Sequence, residues 1–465
     1  MRLRVDAAEH AAFAAASGDR SPIHTDPAAA RRRFPGEPVV HGVHVVLRAV
    51  EALPDGAPSG LRASFVRPVL PGDDLSAEAG PDGVRVVVAG APVAVVGPSL
   101  GRAAAPGPDP ALLRRPADPA PASAADLRLG DLPGRSGVVP HGDVAALSAL
   151  LPGAVAQLGV DAVADLAAVS ALVGMHCPGR RALLVGLDLA PSPAPRPEPG
   201  LAWWVERVVP AVHRVELGVA GTALSGRVSA HVVPDPELPD LAALRGRVVT
   251  GEFAGPSPLV VGGSRGLGAV ACRLLALGGA EPLVGFGTEA GPADAVVAEI
   301  RGAGGRATAV RIDVRDVPAA LAALDDIGWE GDVVLSFATP RILRRHLGGD
   351  RPELLEELRE VHVRGVVDLL VALRRRRPER LLAVGYPSSV AVDDPPDDMR
   401  EYARAKAEAE AALAGLAAVD PGLRVHAPRL PRVLTEQTVA FTPAPAADPA
   451  EVLLPLLRTV VGLRR

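Results

Sequence analysis

The stretch Leu259-Val260-Val261-Gly262-Gly263-Ser264-Arg265-Gly266-Leu267-Gly268 decides the architecture of the C-terminal half of this 465-residue chain. Three apolar residues give way to a glycine-rich turn, after which a helical pattern runs through Leu274 and Leu275. Glycines at such a place allow a tight reversal and let the backbone approach a pyrophosphate at a helix N-terminus, where free N–H groups favour an anion. Gly262, Ser264, Arg265, Gly266, Leu267 and Gly268 are therefore expected to hold a dinucleotide. Outward from this turn, segments at 258–262, 282–286, 307–312, 332–337, 380–385 and 422–427 read as strands alternating with helices. That alternation belongs to a doubly wound parallel sheet.

Further along, Tyr402-Ala403-Arg404-Ala405-Lys406 contains the chain's only lysine and one of its two tyrosines. At a helical spacing of four the two side chains share a face, and an ammonium beside a phenol favours its ionised form. Taken alone, the pair reads equally well as an exposed ion on a charged helix, since Arg404, Glu408 and Glu410 surround it. Ser389 lies thirteen residues before Tyr402, just after the apolar run Leu381 to Val384. The Gly-rich turn, the serine and Tyr-x-x-x-Lys, in this order, resemble the short-chain dehydrogenase/reductase family over about residues 250 to 465. The resemblance implies that Tyr402 gives a proton to a ketone oxygen held by Ser389, while Lys406 bonds the cofactor ribose and lowers the tyrosine pKa. It also implies that Asp313 and Val314 border the adenine. The sequence departs from that family at Ser336-Phe337-Ala338-Thr339-Pro340, where an Asn-Ala-Gly turn is usual, and at His362, where a catalytic Asn is usual. Arg265 places a guanidinium where a ribose 2′-phosphate would sit, and Gly285-Phe286-Gly287-Thr288 offers no immediate carboxylate to a free 2′-hydroxyl, so NADPH is expected over NADH. Glu289 follows directly and keeps NADH in view.

The first hundred residues have a different organisation. An Ala-rich helix at 7–16 precedes the loop Ser17-Gly18-Asp19-Arg20-Ser21-Pro22-Ile23-His24-Thr25-Asp26, and Val40-His41-Gly42 opens an apolar helix from Val43 to Leu53. Segments at 63–70, 74–79, 84–89 and 92–96 then read as antiparallel strands. A carboxylate and an imidazole on one loop offer two distinct proton donors or acceptors; equally, Asp19 reads as a turn cap and His24 as a packing residue. The pattern Ser-Gly-Asp-x-x-Pro-Ile-His followed by Val-His-Gly resembles the MaoC-like (R)-specific enoyl-thioester hydratases of the hotdog fold. By that resemblance Asp19 and His24 are the catalytic pair, and the Gly42 N–H holds a thioester oxygen. Ser21 stands where that family commonly has Asn. Arg31-Arg32-Arg33 reads either as a landing place for an acidic carrier protein or coenzyme A phosphates, or as a solvated face.

Residues 101–135, rich in Pro, Ala and Asp, read as a linker. From 136 to 247 a helix (158–173) is followed by strands at 182–189, 201–208, 212–219 and 223–233. This repeats the order of the first unit without its Asp/His loop. The expected fold is thus an α+β double hotdog followed by an α/β Rossmann-type doubly wound parallel sheet, divided as 1–100 (catalytic hotdog half), 101–135, 136–247 (non-catalytic half) and 248–465 (reductase). A net charge of −5 speaks against a nucleic-acid partner. Cys177 and Cys272 lack metal-ligand spacing, so no metal is expected, and no run of about 20 apolar residues marks a membrane span. The expectation is a cytoplasmic homodimer that reduces a 3-oxoacyl thioester on an acyl carrier protein or coenzyme A and dehydrates the product to a trans-2-enoyl thioester. The alternatives are the reverse pair, an enoyl hydratase with a 3-hydroxyacyl dehydrogenase, or a single active domain with the other as scaffold.

Overall fold

A computed structural model describes residues 2–31, 36–52, 60–80, 83–101, 110–234, 236, 238–439 and 445–464. Within the Arg31-Arg32-Arg33 run, Arg32 and Arg33 lie outside the described residues. The chain divides into two compact units. One holds Met1–Asp235 with Arg344–Gly348; the other holds Pro236–Leu343, Gly349–Val439 and Pro445–Arg465.

The first unit is built on one ten-stranded sheet. Its strands are β1 (Arg2–Arg4), β2 (Leu61–Phe65), β3 (Asp74–Gly80), β4 (Gly83–Val88), β5 (Ala91–Pro98), β6 (Ser136–Val139), β7 (Ala182–Pro191), β8 (Leu201–Val209), β9 (Arg214–Ala220) and β10 (Leu224–Val232). They lie in the order β1-β3-β4-β5-β2-β7-β10-β9-β8-β6, and every recorded pairing is antiparallel. Two five-stranded halves thus meet where β2 pairs with β7, Leu61 opposite Leu189. Along β10 buried residues alternate strictly with half-buried ones, as one covered sheet face requires. That face is covered by α1 (Ala7–Ser17), α4 (Gly42–Val50), α6 (Val144–Leu150), α7 (Pro152–Leu158) and α8 (Val160–Ala171); the short α2 (Pro22–Thr25) and α3 (Pro27–Arg31) follow α1, and Leu112 of α5 (Pro110–Arg114) joins Val138 and Ala202 in a separate small cluster. Val46 and Leu47 of α4 share one apolar cluster with Leu166 and Val169 of α8, so the halves are cored together. Asp165, fully buried in α8, accepts from His141 Nε2 at 2.9 Å and from the Ala223 and Leu224 N–H groups at 2.7 and 2.9 Å. It ties the second half's central helix to the β9–β10 hairpin.

In the second unit, six parallel strands lie in the order β13 (Thr308–Arg311), β12 (Leu283–Phe286), β11 (Leu259–Val261), β14 (Val333–Ser336), β15 (Leu382–Gly385), β17 (Leu423–His426); β16 (Ser388–Ser389) pairs with β18 (Arg429–Leu430) apart from them. Each expected strand is present, shortened by a residue or two at its ends. Strand order reverses between β11 and β14, and such a switch point opens a crevice at the carboxyl ends of the strands. Among the described residues no single helix is long and apolar enough to cross a membrane.

Candidate active sites

In the first unit, Asp6 caps α1 by accepting the Glu9 N–H, and Gly18 ends the helix at φ +78°, the left-handed region that glycine adopts most readily. The chain therefore turns sharply into Asp19. This carboxylate is 2% exposed and receives the Ser21 N–H on Oδ1 and the Ser170 hydroxyl on Oδ2 at 2.7 Å. Burial raises its pKa, against the opposing pull of His24 and the Ser170 hydrogen bond. His24 gives its Nδ1–H to the Val39 carbonyl at 2.7 Å, which leaves Nε2 as the free acceptor, 3.9 Å from Asp19 Oδ2. A buried carboxyl whose protonated form burial favours and an imidazole with an open lone pair thus stand side by side. Gly42 opens α4, and a Cβ there would come within 3.0 Å of the Phe65 ring. One ring nitrogen or carboxylate oxygen from each of Asp19, His24 and His41 lies within 4.8 Å of the others, so the three side chains form one cluster.

Two contributors were not legible in the sequence. Ser170 lies on α8 of the second half, and Gly174 lies in the π-helical turn Leu172–His176 that follows it. A Cβ on Gly174 would stand 2.1 Å from Asp19 Oδ1. The second half carries no acid/base loop of its own, yet it shapes the pocket wall behind Asp19. Cys177 is buried and desolvation pushes its thiol up to about 12, which favours the unreactive thiol over the thiolate.

In the second unit, Gly262 and Gly266 have φ +77° and +56°, and a Cβ on Gly268 would meet the Gly262 carbonyl at 2.2 Å. A Cβ on Gly262 would meet the Ala338 nitrogen at 2.6 Å, so the turn after β11 nests against the end of β14, where Phe337 N–H bonds the Val261 carbonyl. The helix α9 (Leu241–Leu244) precedes this region, and α10 (Gly266–Leu277) begins at the turn with no side-chain cap on its first N–H groups. These residues fit a pyrophosphate. Arg265 pairs with Glu289, both partly exposed. Asp313 is held by Arg315 through bonds of 2.9 and 2.7 Å, which lowers its pKa, and Val314 is buried.

Tyr402, Lys406 and Ser389 do come together. Tyr402 and Lys406 lie on the helix Arg400–Val419, and Ser389 hydrogen-bonds the phenol. Lys406, 5% exposed, donates a hydrogen bond to the Pro387 carbonyl at 2.8 Å and lies 4.2 Å from the Tyr386 ring centroid and 5.8 Å from that of Tyr402. Burial drives its pKa down to about 7, against the attraction of Glu410. The expected lowering of the tyrosine is not seen. Burial pushes Tyr402 up to about 12, with only the Ser389 hydrogen bond opposing it. A lysine this near neutrality is a weak charge, and desolvation of the phenolate wins.

His362 occupies a π-helical turn, Glu360–Gly365, and is fully buried. Thr339 Oγ1 donates to the Pro340 carbonyl at 3.0 Å and so accepts from His362 Nε2 at 3.1 Å; His362 Nδ1 then accepts from Tyr386 at 3.4 Å. This tautomer follows from the network. The altered 336–340 turn and the altered helix position thus satisfy each other. Burial holds His362 well below its usual pKa.

Comparison with known proteins agrees with this division. Residues 2–95 match the MaoC like domain, and residues 258–331 match the short chain dehydrogenase family. The chain is 32% identical over 120 residues to an uncharacterized oxidoreductase of Methylorubrum extorquens and 34% identical over 86 residues to a short chain dehydrogenase of Passalora fulva. It spans 46% and 32% of the length of these two curated relatives, the matched stretches being 26% and 18% of this chain. Among solved structures, a dehydrogenase/reductase from Sinorhizobium meliloti is similar at 25% identity over 46% of this chain and 91% of its own, with TM-score 0.39. A 3-oxoacyl (acyl-carrier-protein) reductase from Agrobacterium tumefaciens, solved with NADP bound, is similar at 23% identity over 42% of this chain and 76% of its own, with TM-score 0.36. Fold and motif define a hotdog unit joined to a Rossmann-type unit. The first carries a MaoC-like dehydratase domain, the second a short-chain dehydrogenase domain.

Proposed function

We propose that this chain reduces a 3-oxoacyl thioester to the (R)-3-hydroxyacyl thioester and dehydrates that product to the trans-2-enoyl thioester. The observation that carries the reading is the pairing, on one loop, of a buried Asp19 of raised pKa with a His24 whose Nε2 is a free acceptor. Environments that push two titratable groups apart assign acid and base. His24 Nε2 takes the proton from C2, Asp19 gives its proton to the departing C3 hydroxyl, and water leaves as the double bond forms. Meanwhile the Gly42 N–H, at the positive end of α4, holds the thioester oxygen as enolate charge develops on it.

In the reductase domain, Gly262, Ser264, Arg265, Gly266, Leu267 and Gly268 would hold the cofactor pyrophosphate and ribose phosphate, and Asp313 with Val314 would border the adenine. With NADPH held there, its chemistry would be hydride transfer to the C3 carbonyl. Ser389 holds the carbonyl oxygen, and Tyr402, protonated throughout the neutral range, gives it a proton. The Arg265–Glu289 pair is exposed enough to be exchanged cheaply for a phosphate. Glu289 also gives the opposite direction its one structural support, because a carboxylate there suits the free 2′-hydroxyl of NAD+ and hence oxidation of a 3-hydroxyacyl group. Coenzyme A or an acyl carrier protein is the thioester's carrier.

The deciding experiment is incubation with a 3-oxoacyl thioester and NADPH, following cofactor oxidation and product mass together. Cofactor consumption with a product two hydrogens heavier, then lighter by one water, is expected. Cofactor turnover without loss of water from the 3-hydroxyacyl product would overturn the coupled reading.

A further inference from the structure

The short helix α2, which presents His24, has only four residues, too few for a hydrogen-bonded ladder to hold it in place. Its position must come from contacts outside it, and besides the Val39 main chain, which bonds Ile23 and the His24 ring, two other histidines contribute. His10 of α1, 6% exposed, lies 2.9 Å through Nε2 from the main-chain carbonyl of His24. His41, completely buried, lies 3.0 Å through Nε2 from the main-chain carbonyl of Asp19. A carbonyl only accepts, so both imidazoles carry their proton on Nε2. Their Nδ1 atoms are buried with no hydrogen-bond partner among the described residues, as unprotonated nitrogens. The His10 and His41 rings lie 5.0 Å apart, and His41 stacks on His24 at 3.8 Å and 25°.

We propose that His10 and His41 are positioning residues of the dehydratase, a pair of neutral imidazoles that clamp the main-chain carbonyls of the two residues that move protons. This rests on Asp19 and His24 being that pair. A flat ring suits the task because its edge donates one directed hydrogen bond while its face packs on the neighbouring imidazole. Neither ring offers a proton to the reaction, since each Nε2–H is committed to a carbonyl. Their effect is to fix where the Asp19 carboxyl and His24 Nε2 stand, and a misplacement of about 1 Å is enough to cost on the order of a hundredfold in rate.

The test compares His41→Phe, which keeps a flat buried ring and removes the donor, with His41→Gln, whose amide nitrogen falls near the place of Nε2. His10→Phe and His10→Gln form a second, independent pair should a His41 variant fail to fold. Hydration of a supplied enoyl thioester is measured as kcat and KM, with circular dichroism to confirm the fold. The expectation is that each Phe variant loses about ten- to a hundredfold in kcat with little change in KM, and that each Gln variant regains most of it. Folded Phe variants with wild-type kcat, or Gln variants as impaired as Phe, would overturn the clamp while leaving the Asp19/His24 assignment standing. A wild-type protein unable to hydrate or dehydrate any 3-hydroxyacyl or enoyl thioester would overturn both.

Discussion

Lys406 illustrates how a single residue shows its importance in sequence while its environment stays hidden. Its rarity marked it, and the four-residue spacing to Tyr402 placed both on one helix face. Nothing local told that Tyr386 would lie beneath the ammonium or that burial would lower its pKa to about 7. The sign of the consequence is definite. Below that value Lys406 carries a charge able to bond ribose hydroxyls, and above it that charge is lost, whereas Tyr402, pushed up to about 12, keeps its proton throughout. The kcat/KM for NADPH is therefore expected to fall as pH rises through about 7, since this ratio reports ionisations of the free enzyme. Lys406→Arg, charged at every accessible pH, should be slower but lack that limb. A limb unchanged in the variant would assign the ionisation to another group.

Among elements, strands and central helices were the most legible, because alternation in β10 and unbroken apolarity in β11 record how many faces are covered. The stretch 158–173 read as one helix and is one from Val160 onward; only its start was misplaced, because Gly159, at φ +84°, separates α8 from α7 and uniform apolar composition on either side concealed where the two meet. The short edge strands β1 and β6 escaped notice because three or four residues give no measurable period. Least legible was the π-helical turn Leu172–His176, whose meaning depends on a carboxylate more than 150 residues away. Gly174→Ala should drive a methyl group into Asp19, and because the listener to that clash is a buried side chain with two fixed hydrogen bonds, dehydration should fall by about 10²–10⁴. Ketone reduction by the same variant is expected to persist, and both rates can be read from one preparation. Undiminished dehydration would mean that the Asp19 position is not critical.

For the whole molecule, two separately cored units predict separable chemistry. Tyr402→Phe should stop NADPH-dependent reduction and leave hydration of an enoyl thioester intact, while Asp19→Asn should reduce the ketone and halt there. The accumulated acid, freed by hydrolysis and resolved by chiral chromatography, is expected to be the (R) isomer. On the proposed roles of Asp19 and His24 one fixed loop would present acid and base to one face of the substrate, so an (S) product would leave two activities without a common intermediate. Fold class and both candidate site clusters were readable because each is carried by short sequence motifs. The contribution of α8 was not, because it rests on tertiary contact alone.

The pairing of β2 with β7 and the reach of Ser170 to Asp19 give the two hotdog halves unequal freedom to change. Having no acid/base loop to maintain, the second half is at liberty to vary where it faces outward. The same half is bound at Ser170, Gly174 and the β7 ladder as tightly as if it carried the reaction itself. Mutational tolerance across residues 136–234 should therefore be patchy rather than uniform, with its narrowest passage at the end of a helix that bears no catalytic group.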